Sequence, residues 1–497
     1  MLTVPKSEFL SNRLITKERT SLFSSSEGIN MEKKHELSAE AKRKARVKLR
    51  MSRKPFLEFT RRAFLAALLL LLLALNVAAA DRPILFVHGD GDTAALWHTN
   101  LWRFESNGYD PSVLFAIDFT HPRARSDDTK PQENRSSTAD QLRELSAKIF
   151  EIQSRTGQKQ LVLVGSSRGG YSIRNYIKNS PGGAANISQA ILCGTPNHGV
   201  YADPTLPNAE FNGMGTFLSG LNSGDEVQPG VRFMTIRSDA NDKYAQPEGR
   251  FIGMPGKPTN VTFASPELRG AQNVVLPGLD HREVAFHPLA FKAMYTFIPG
   301  REPATLDIVP EARPALNGFV SGWANGAPTN LPLAGATVEI YEVDPASGQR
   351  LGEAVHRRTT SADGVWGPFT AKPTAYYEFV ISADGYPTTH IYRTPFPRSS
   401  AYIHLRLRPL SDRDKGTGSL VTLIRPRGYL GHGRDTFLIE GKIPPGINEG
   451  VPGTAEGRVR FEPGPLRPVR VVLNKESMTV LTYPLDSGHI IIAEFHY

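Results

Sequence analysis

Two hydrophobic rhythms divide the chain. From residue 81 to about 300, short unbroken apolar runs such as ILFV (84–87), LVLV (161–164) and FMTI (233–236) alternate with stretches whose apolar residues recur every three or four positions. A run of four to six is a strand buried on both faces and the three-to-four spacing is the buried stripe of a helix, so this half predicts a parallel sheet with helices on both sides. The expected strands are ILFVH, VLFAID, LVLVG, AILCG, RFMTIRS and NVVLPG. Helices are expected from Thr138 to about Gln153, directly after Ser167, and in a last segment ending at Ile298. Thr138 and Gln141 have the spacing of a capping box ahead of Leu142, Leu145, Ile149 and Ile152.

Beyond Ile298 the rhythm changes. A proline-rich stretch, PGREPATLDIVPEARPALNG, reads as a linker over about 301–315. After it AYIHLRLRP alternates strictly, with Ile403, Leu405 and Leu407 on one face and His404, Arg406 and Arg408 on the other. TVEIYEV, YYEFVIS, SLVTLIR, GRVRF, VRVVL and HIIIAEF are further strands, and no long helical pattern interrupts them, so this half is all-β. Trp323, Trp366, Tyr376 and Tyr377 are either its core or an aromatic platform on its surface, and the core is favoured. The linker reading predicts that the two halves work separately.

The chemistry concentrates where apolar runs end. LVLVGSSRGG passes from a strand into a glycine-bounded turn and then a helix, and Gly165-Ser166-Ser167-Arg168-Gly169 fits G-x-S-x-G, a turn that thrusts a serine hydroxyl out at a helix N-terminus. Upstream, ILFVHGDGD ends a strand in a glycine-rich loop able to aim a backbone N–H at a carbonyl oxygen. A base and an orienting carboxylate complete such a site, and they follow the serine in the order Ser, Asp, His. Three histidines lie between Ser167 and Ile298. His198, in GTPNHG, precedes any candidate acid and reads as pocket wall. His281, in VVLPGLDHREVAFHP, hangs past a strand end and is favoured over His287, which reads as a helix-start residue beside Pro288. Of the acids in RFMTIRSDANDKYAQP, Asp242 is favoured over Asp239, whose position suits capping of its own turn.

FVHGDGDTAALW, LVGSSRGG, LCGTPNHG, TIRSDANDKY and LPGLDHREV, in this order over 81–300, resemble the serine lipases and carboxylesterases of the α/β-hydrolase superfamily, in particular the class 2 lipases of bacteria and archaea. The resemblance implies Ser167 as nucleophile, Asp242 as acid, His281 as base, and the backbone N–H groups of Asp90 and Arg168 as the oxyanion hole. It departs from the usual lipase pattern at Ser166, where histidine commonly stands, and at the acidic Asp90. The expected organisation is an α/β-hydrolase catalytic domain at 81–300, a linker at 301–315, a β sandwich at 316–410 similar to carboxypeptidase-regulatory or transthyretin-like domains, and a second β unit at 415–497. Between two strands, FNGMGTFLSGLNSGDE gathers Phe211, Met214, Phe217, Leu218 and Leu221 as the expected roof of an acyl pocket.

Charge changes the picture only at the N-terminus. The chain carries 58 Lys+Arg and 49 Asp+Glu, a net +9, of which residues 1–62 hold 16 and 7, leaving 42 of each sign in the rest. The body is neutral, which removes the argument for a nucleic-acid partner. FTRRAFLAALLLLLLALNVAAADRP joins a twin arginine, an apolar run and Ala78-Ala79-Ala80, the pattern of a cleavable twin-arginine export signal over 51–80, with an uncleaved membrane anchor as the rival. Residues 1–50 read as a basic leader outside the fold, and Met51 is a candidate start. The one cysteine, Cys193, lies in a predicted strand, so no internal disulfide forms, and no metal-ligand spacing or cofactor motif occurs. The expected activity is an exported ester hydrolase acting on apolar esters or at a lipid interface. The alternatives are a polyester depolymerase and a non-catalytic binding protein on a hydrolase scaffold.

Overall fold

The computed structural model describes residues 41–44, 46 and 82–497. The chain divides into compact units at 1–80 and 81–497, and in the first the described residues 41–44 and 46 are helical. The export signal at 51–80 and most of the basic leader lie outside the described residues. No helix among the described residues is long and apolar enough to cross a membrane.

The predicted strands pair into one six-stranded sheet: β1 (Ile84–Val87), β2 (Leu114–Ile117), β3 (Leu161–Ser166), β4 (Ile187–Cys193), β5 (Arg232–Arg237) and β6 (Gln272–Val275). Every pair is parallel and the order is β2-β1-β3-β4-β5-β6. Strand residues alternate between two cores. Ile84, Phe86, Val162 and Val164 face α1 (His98–Ser106) and the last helices of this half, α5 (Glu283–Phe286) and α6 (Pro288–Phe297). Leu85, Val87, Leu161 and Leu163 face α2 (Thr138–Thr156) and α3 (Arg168–Asn179). Because the chain leaves β1 for the edge at β2 and returns to β3, the direction of winding reverses between β1 and β3, where α/β sheets open a crevice at their carboxyl ends.

The cap of α2 falls one residue earlier than the spacing of Thr138 and Gln141 suggested. Ser137 and Asp140 form the capping box. Thr138 instead donates its hydroxyl to Asp128 at 2.6 Å, and Gln141 turns inward to accept from Ser172 of α3.

The C-terminal half is all-β, but its two expected units share a sheet. β7 (Thr337–Val343), β8 (His356–Thr359), β9 (Tyr376–Ser382) and β10 (Thr388–Arg393) continue through the last strand, β16 (His489–Glu494), into β11 (Ser419–Ile424) and β13 (Glu456–Phe461). β16 inserts parallel to both β10 and β11, so the boundary at 410–415 is not a break in hydrogen bonding. A smaller sheet of β12 (Phe437–Ile439), β14 (Pro468–Leu473) and β15 (Glu476–Leu481) packs its apolar face against β11 and β16. Trp366 and Tyr377 are buried in the sandwich core, whereas Trp323 and Tyr376 are half-buried.

Residues 301–315 are packed rather than open. Arg103 of α1 donates to the Leu306 carbonyl, Asn107 to that of Thr305, and Val309 N–H donates to Ser106. Trp102 of α1 belongs to the sandwich core, with its indole N–H on the Ser399 carbonyl at 2.7 Å. AYIHLRLRP forms only a two-residue ladder, Leu405–Arg406. Its apolar face is buried as predicted, but its polar face meets the α/β half: His404 pairs with Asp118 at 2.9 Å and Arg406 bonds the carbonyls of Gly91 and Asp92.

Candidate active site

Ser167 sits between β3 and α3 with φ 52° and ψ −122°, a conformation costly for any residue with a side chain and held by what surrounds it. Its N–H donates to the Cys193 carbonyl at 2.8 Å and its own carbonyl accepts from Thr195 Oγ1 at 2.9 Å. The turn passes so close to β1 that a Cβ on Gly169 would lie 2.4 Å from the Val87 oxygen, which is why glycine stands there. The loop after β1 runs alongside: a Cβ on Gly89 would be 3.1 Å from Ser167 Cβ.

His281 lies in the loop between β6 and α5, buried, with Nδ1 at 2.9 and 3.0 Å from the two carboxylate oxygens of Asp242. Asp242 is buried in the loop after β5 and also accepts the Tyr244 N–H at 2.8 Å. The Tyr244 ring stands edge-on to the imidazole, centroids 4.6 Å apart. The histidine packs on the end of β4, where a Cβ on Gly194 would meet the His281 carbonyl at 2.9 Å and Nδ1 at 3.4 Å. Cys193 and Gly194 are therefore the junction at which the serine turn and the His–Asp pair meet.

Asp239 does not join them. Its carboxylate closes its own turn on the Asn241 N–H and reaches the histidine loop at the Gly278 N–H. His287 caps α6 by accepting the Leu289 N–H, and burial lowers its pKa to about 4. His198 bonds Glu226 and the Ser265 carbonyl. Cys193 is a free thiol whose burial pushes its pKa far up.

Asp90 lies in the loop after β1, and its carboxylate turns to the Ala124 N–H at 2.7 Å and Arg123 at 3.1 Å. Beside it, burial lowers the pKa of His88; Nε2 accepts the Phe119 N–H, which leaves the proton on Nδ1 to donate to the Gly89 carbonyl. Arg168 is the first residue of α3, where backbone N–H groups lack helical acceptors. Its fully buried guanidinium forks onto Glu210 at 2.8 and 2.6 Å and bonds Ser136 and the Pro122 carbonyl.

Glu210 immediately precedes the segment expected to roof an acyl pocket, and only part of that segment has the predicted character. Leu218 and Leu221 are buried against Tyr171 as a small core of their own, Met214 is exposed, and Phe211 and Phe217 are half-buried. The leucines lie on the inward stripe of a short helix, α4 (Thr216–Asn222).

Several residues around the site carried no clear sequence signal. Arg282 pairs with Asp92 at 2.6 Å, joining the loop after β1 to the histidine loop. Their adjacency to His281 and Asp90 was the only hint. Asp280 and Glu283 are bound by Arg425 and Arg434, more than 140 residues away in sequence, which no local pattern reveals. Among the described residues, no group of three or more His, Cys, Asp or Glu is arranged to hold a metal ion.

Residues 81–246 match the family model described as Lipase (class 2), and residues 317–409 match that of the Lipase C-terminal domain. No curated protein sequence matches the chain. Among solved structures it is similar to Aspergillus fumigatus lipase B (15% identity, 46% of this chain and 55% of that one, TM-score 0.34). Bacillus licheniformis lipase BlEst2 in mature form has 20% identity over 44% of this chain and 93% of that one, TM-score 0.34. Legionella pneumophila phospholipase PlaB has 13% identity over 67% and 95%, TM-score 0.30. With a serine turn at the β1/β3 crevice and both family models in order, the chain has an α/β-hydrolase half that matches the class 2 lipases and a β half that matches the lipase C-terminal domain, and together these support a lipase/esterase hydrolase.

Proposed function

We propose that the protein is an exported serine hydrolase that cleaves apolar carboxylic esters through an acyl-enzyme. The observation that carries this reading is the meeting, at Cys193–Gly194, of the strained Ser167 turn with the His281–Asp242 pair. In the proposed reaction Ser167 Oγ gives its proton to His281 Nε2 and attacks the ester carbonyl carbon. His281 Nδ1–H donates to Asp242, which fixes the tautomer and stabilises the imidazolium. The negative oxygen of the tetrahedral intermediate accepts from the N–H groups of Asp90 and Arg168, each such donor contributing about a hundredfold to a thousandfold in rate. Collapse expels the alcohol, which takes the proton from His281. Water then repeats the sequence on the acyl carbonyl, the carboxylic acid departs, and Ser167 recovers its hydrogen.

Phe211 and Phe217, with the exposed Met214, are the candidate contacts for an apolar acyl chain or a lipid interface. Export rests on the twin-arginine segment 51–80, so mature protein begins at Asp81 and N-terminal sequencing reads this directly. Activity is tested with p-nitrophenyl esters of increasing chain length against the parent and Ser167→Ala. A folded Ser167→Ala variant that keeps parental turnover contradicts the proposal.

A further inference from the structure

The histidine loop is held from both halves: on its own side Asp239 accepts the Gly278 N–H, Ser238 donates to the Leu279 carbonyl and Arg282 pairs with Asp92. It follows β6, an edge strand of four residues that pairs only with β5 and is largely exposed, yet Asp280 and His281 are buried. The two carboxylates that flank this stretch, Asp280 and Glu283, take their cations from the β region. Arg434 donates to Glu283 at 2.7 Å and to Asp280 at 2.9 Å, Arg425 donates to Glu283 at 2.5 Å, and the Tyr429 N–H donates to Asp280 at 2.6 Å. Asp280 spends its other oxygen on the N–H groups of Arg282 and Glu283, so both neighbours of His281 in sequence are fixed by this cluster. Asp435 sits beneath the two arginines and completes it.

The other loops of the site are held from the same region. Arg406 donates to the carbonyls of Gly91 at 2.7 Å and Asp92 at 3.1 Å, beside Asp90. Lys243, next to Asp242, donates to the Gly453 carbonyl at 2.8 Å and lies over the Tyr429 ring at 4.1 Å. Polar contacts from residues 406–453 thus reach all three loops that carry the proposed oxyanion, acid and base groups. The contacts between the halves extend beyond these loops, to Trp102, Asp118 and the Ala95 and Leu96 carbonyls, but those on the histidine loop bind the residues on either side of the base.

We propose that Arg434 and Arg425 are positioning residues, holding through Asp280 and Glu283 the loop that aims His281, so that the catalytic unit comprises 82–497 and not the α/β half alone. The proposal rests on the serine-hydrolase reading above. Its warrant is that a base displaced by about 1 Å loses on the order of a hundredfold in rate while ground-state binding is spared.

The test compares the full-length parent, Arg434→Gln, Glu283→Gln and the double variant, reading kcat and KM on p-nitrophenyl butyrate and labelling by a fluorophosphonate. Arg434→Gln is expected to lower kcat roughly ten- to hundredfold with KM within about threefold, and the double variant to fall no further than the worse single variant. Folded Arg434→Gln with parental kcat, or single losses that multiply in the double variant, overturns the proposal. Should Arg434→Gln be insoluble, Arg434→Lys decides: a lysine cannot fork onto both carboxylates, so a several-fold lower kcat supports positioning and parental kcat overturns it. A parent that the fluorophosphonate leaves unlabelled at Ser167 overturns the serine-hydrolase reading and the positioning claim with it. A labelled parent beside variants of unchanged kcat overturns the positioning claim alone.

Discussion

Arg168→Met separates the two roles given to this residue, because the variant keeps the backbone N–H and removes the guanidinium. In the parent that group is fully buried and donates to Glu210 at 2.8 and 2.6 Å, with further bonds to Ser136 and Pro122. Met leaves Glu210 buried without its cation, and breaking a buried pair from one side costs about 3–5 kcal/mol, out of a total stability of roughly 5–15 kcal/mol. Burial already raises the Glu210 pKa above its ordinary value, and Arg168 is the main influence opposing that. Without it the folded-state pKa rises further. A carboxyl with a raised folded pKa binds more protons folded than unfolded, so stability falls as pH climbs from the ordinary glutamate range through the raised value. The deficit against the parent is therefore expected to be small near pH 5 and full near pH 8. Urea denaturation followed by tryptophan fluorescence at the two pH values measures it. Arg168→Met with Glu210→Leu, which removes both charges, is expected to lose less than Arg168→Met alone. A single variant within about 1 kcal/mol of the parent at pH 8, or a pH dependence of opposite sign, refutes the reasoning.

Three further outcomes follow from the same geometry. Gly169→Ala sets a methyl 2.4 Å from the Val87 oxygen, so the turn must shift and esterase activity is expected to fall at least about a hundredfold, read as kcat/KM on a short ester. Asp242→Asn is expected to lower kcat on the order of ten-thousandfold by favouring the wrong imidazole tautomer, and Asp239→Asn far less, since Asp239 bonds the Asn241 and Gly278 N–H groups and not the imidazole; the reverse ranking in steady-state kinetics moves the acid to Asp239. Truncation after Pro310 strips Trp102 of its cover and the histidine loop of its arginines, so the shortened protein is expected to be insoluble or inactive on soluble esters, as solubility and p-nitrophenyl butyrate assays report.

Strand ends and the glycines that admit close approach are short-range features, and they mark the turn of Ser167 and the strand-end loops in which Asp242 and His281 come within hydrogen-bond distance of each other. What escaped was whatever depends on a distant partner. The alternation in AYIHLRLRP separates two faces correctly, but it does not say what covers the polar one, and His404 and Arg406 turn out to bond Asp118 and the Gly91–Asp92 carbonyls. The second variable position of G-x-S-x-G specifies a backbone N–H and no side chain, while the Arg168 guanidinium ties the serine turn to Glu210. Insertion of β16 between β10 and β11 is a pairing across many residues and leaves no periodic trace in the strands it joins. The Thr138 cap failed for a related reason, since Asp128 had taken the hydroxyl that the local spacing assigned to the helix.

The central claim is that Ser167, served by His281 and Asp242, is the nucleophile of an ester hydrolase. It is tested most directly by inactivating the full-length protein with a fluorophosphonate and locating the adduct by peptide mass spectrometry. The account predicts one stoichiometric adduct, on Ser167, formed in step with loss of esterase activity and formed far more slowly in a His281→Ala variant. An adduct at another residue, or complete inactivation with Ser167 unmodified, contradicts it.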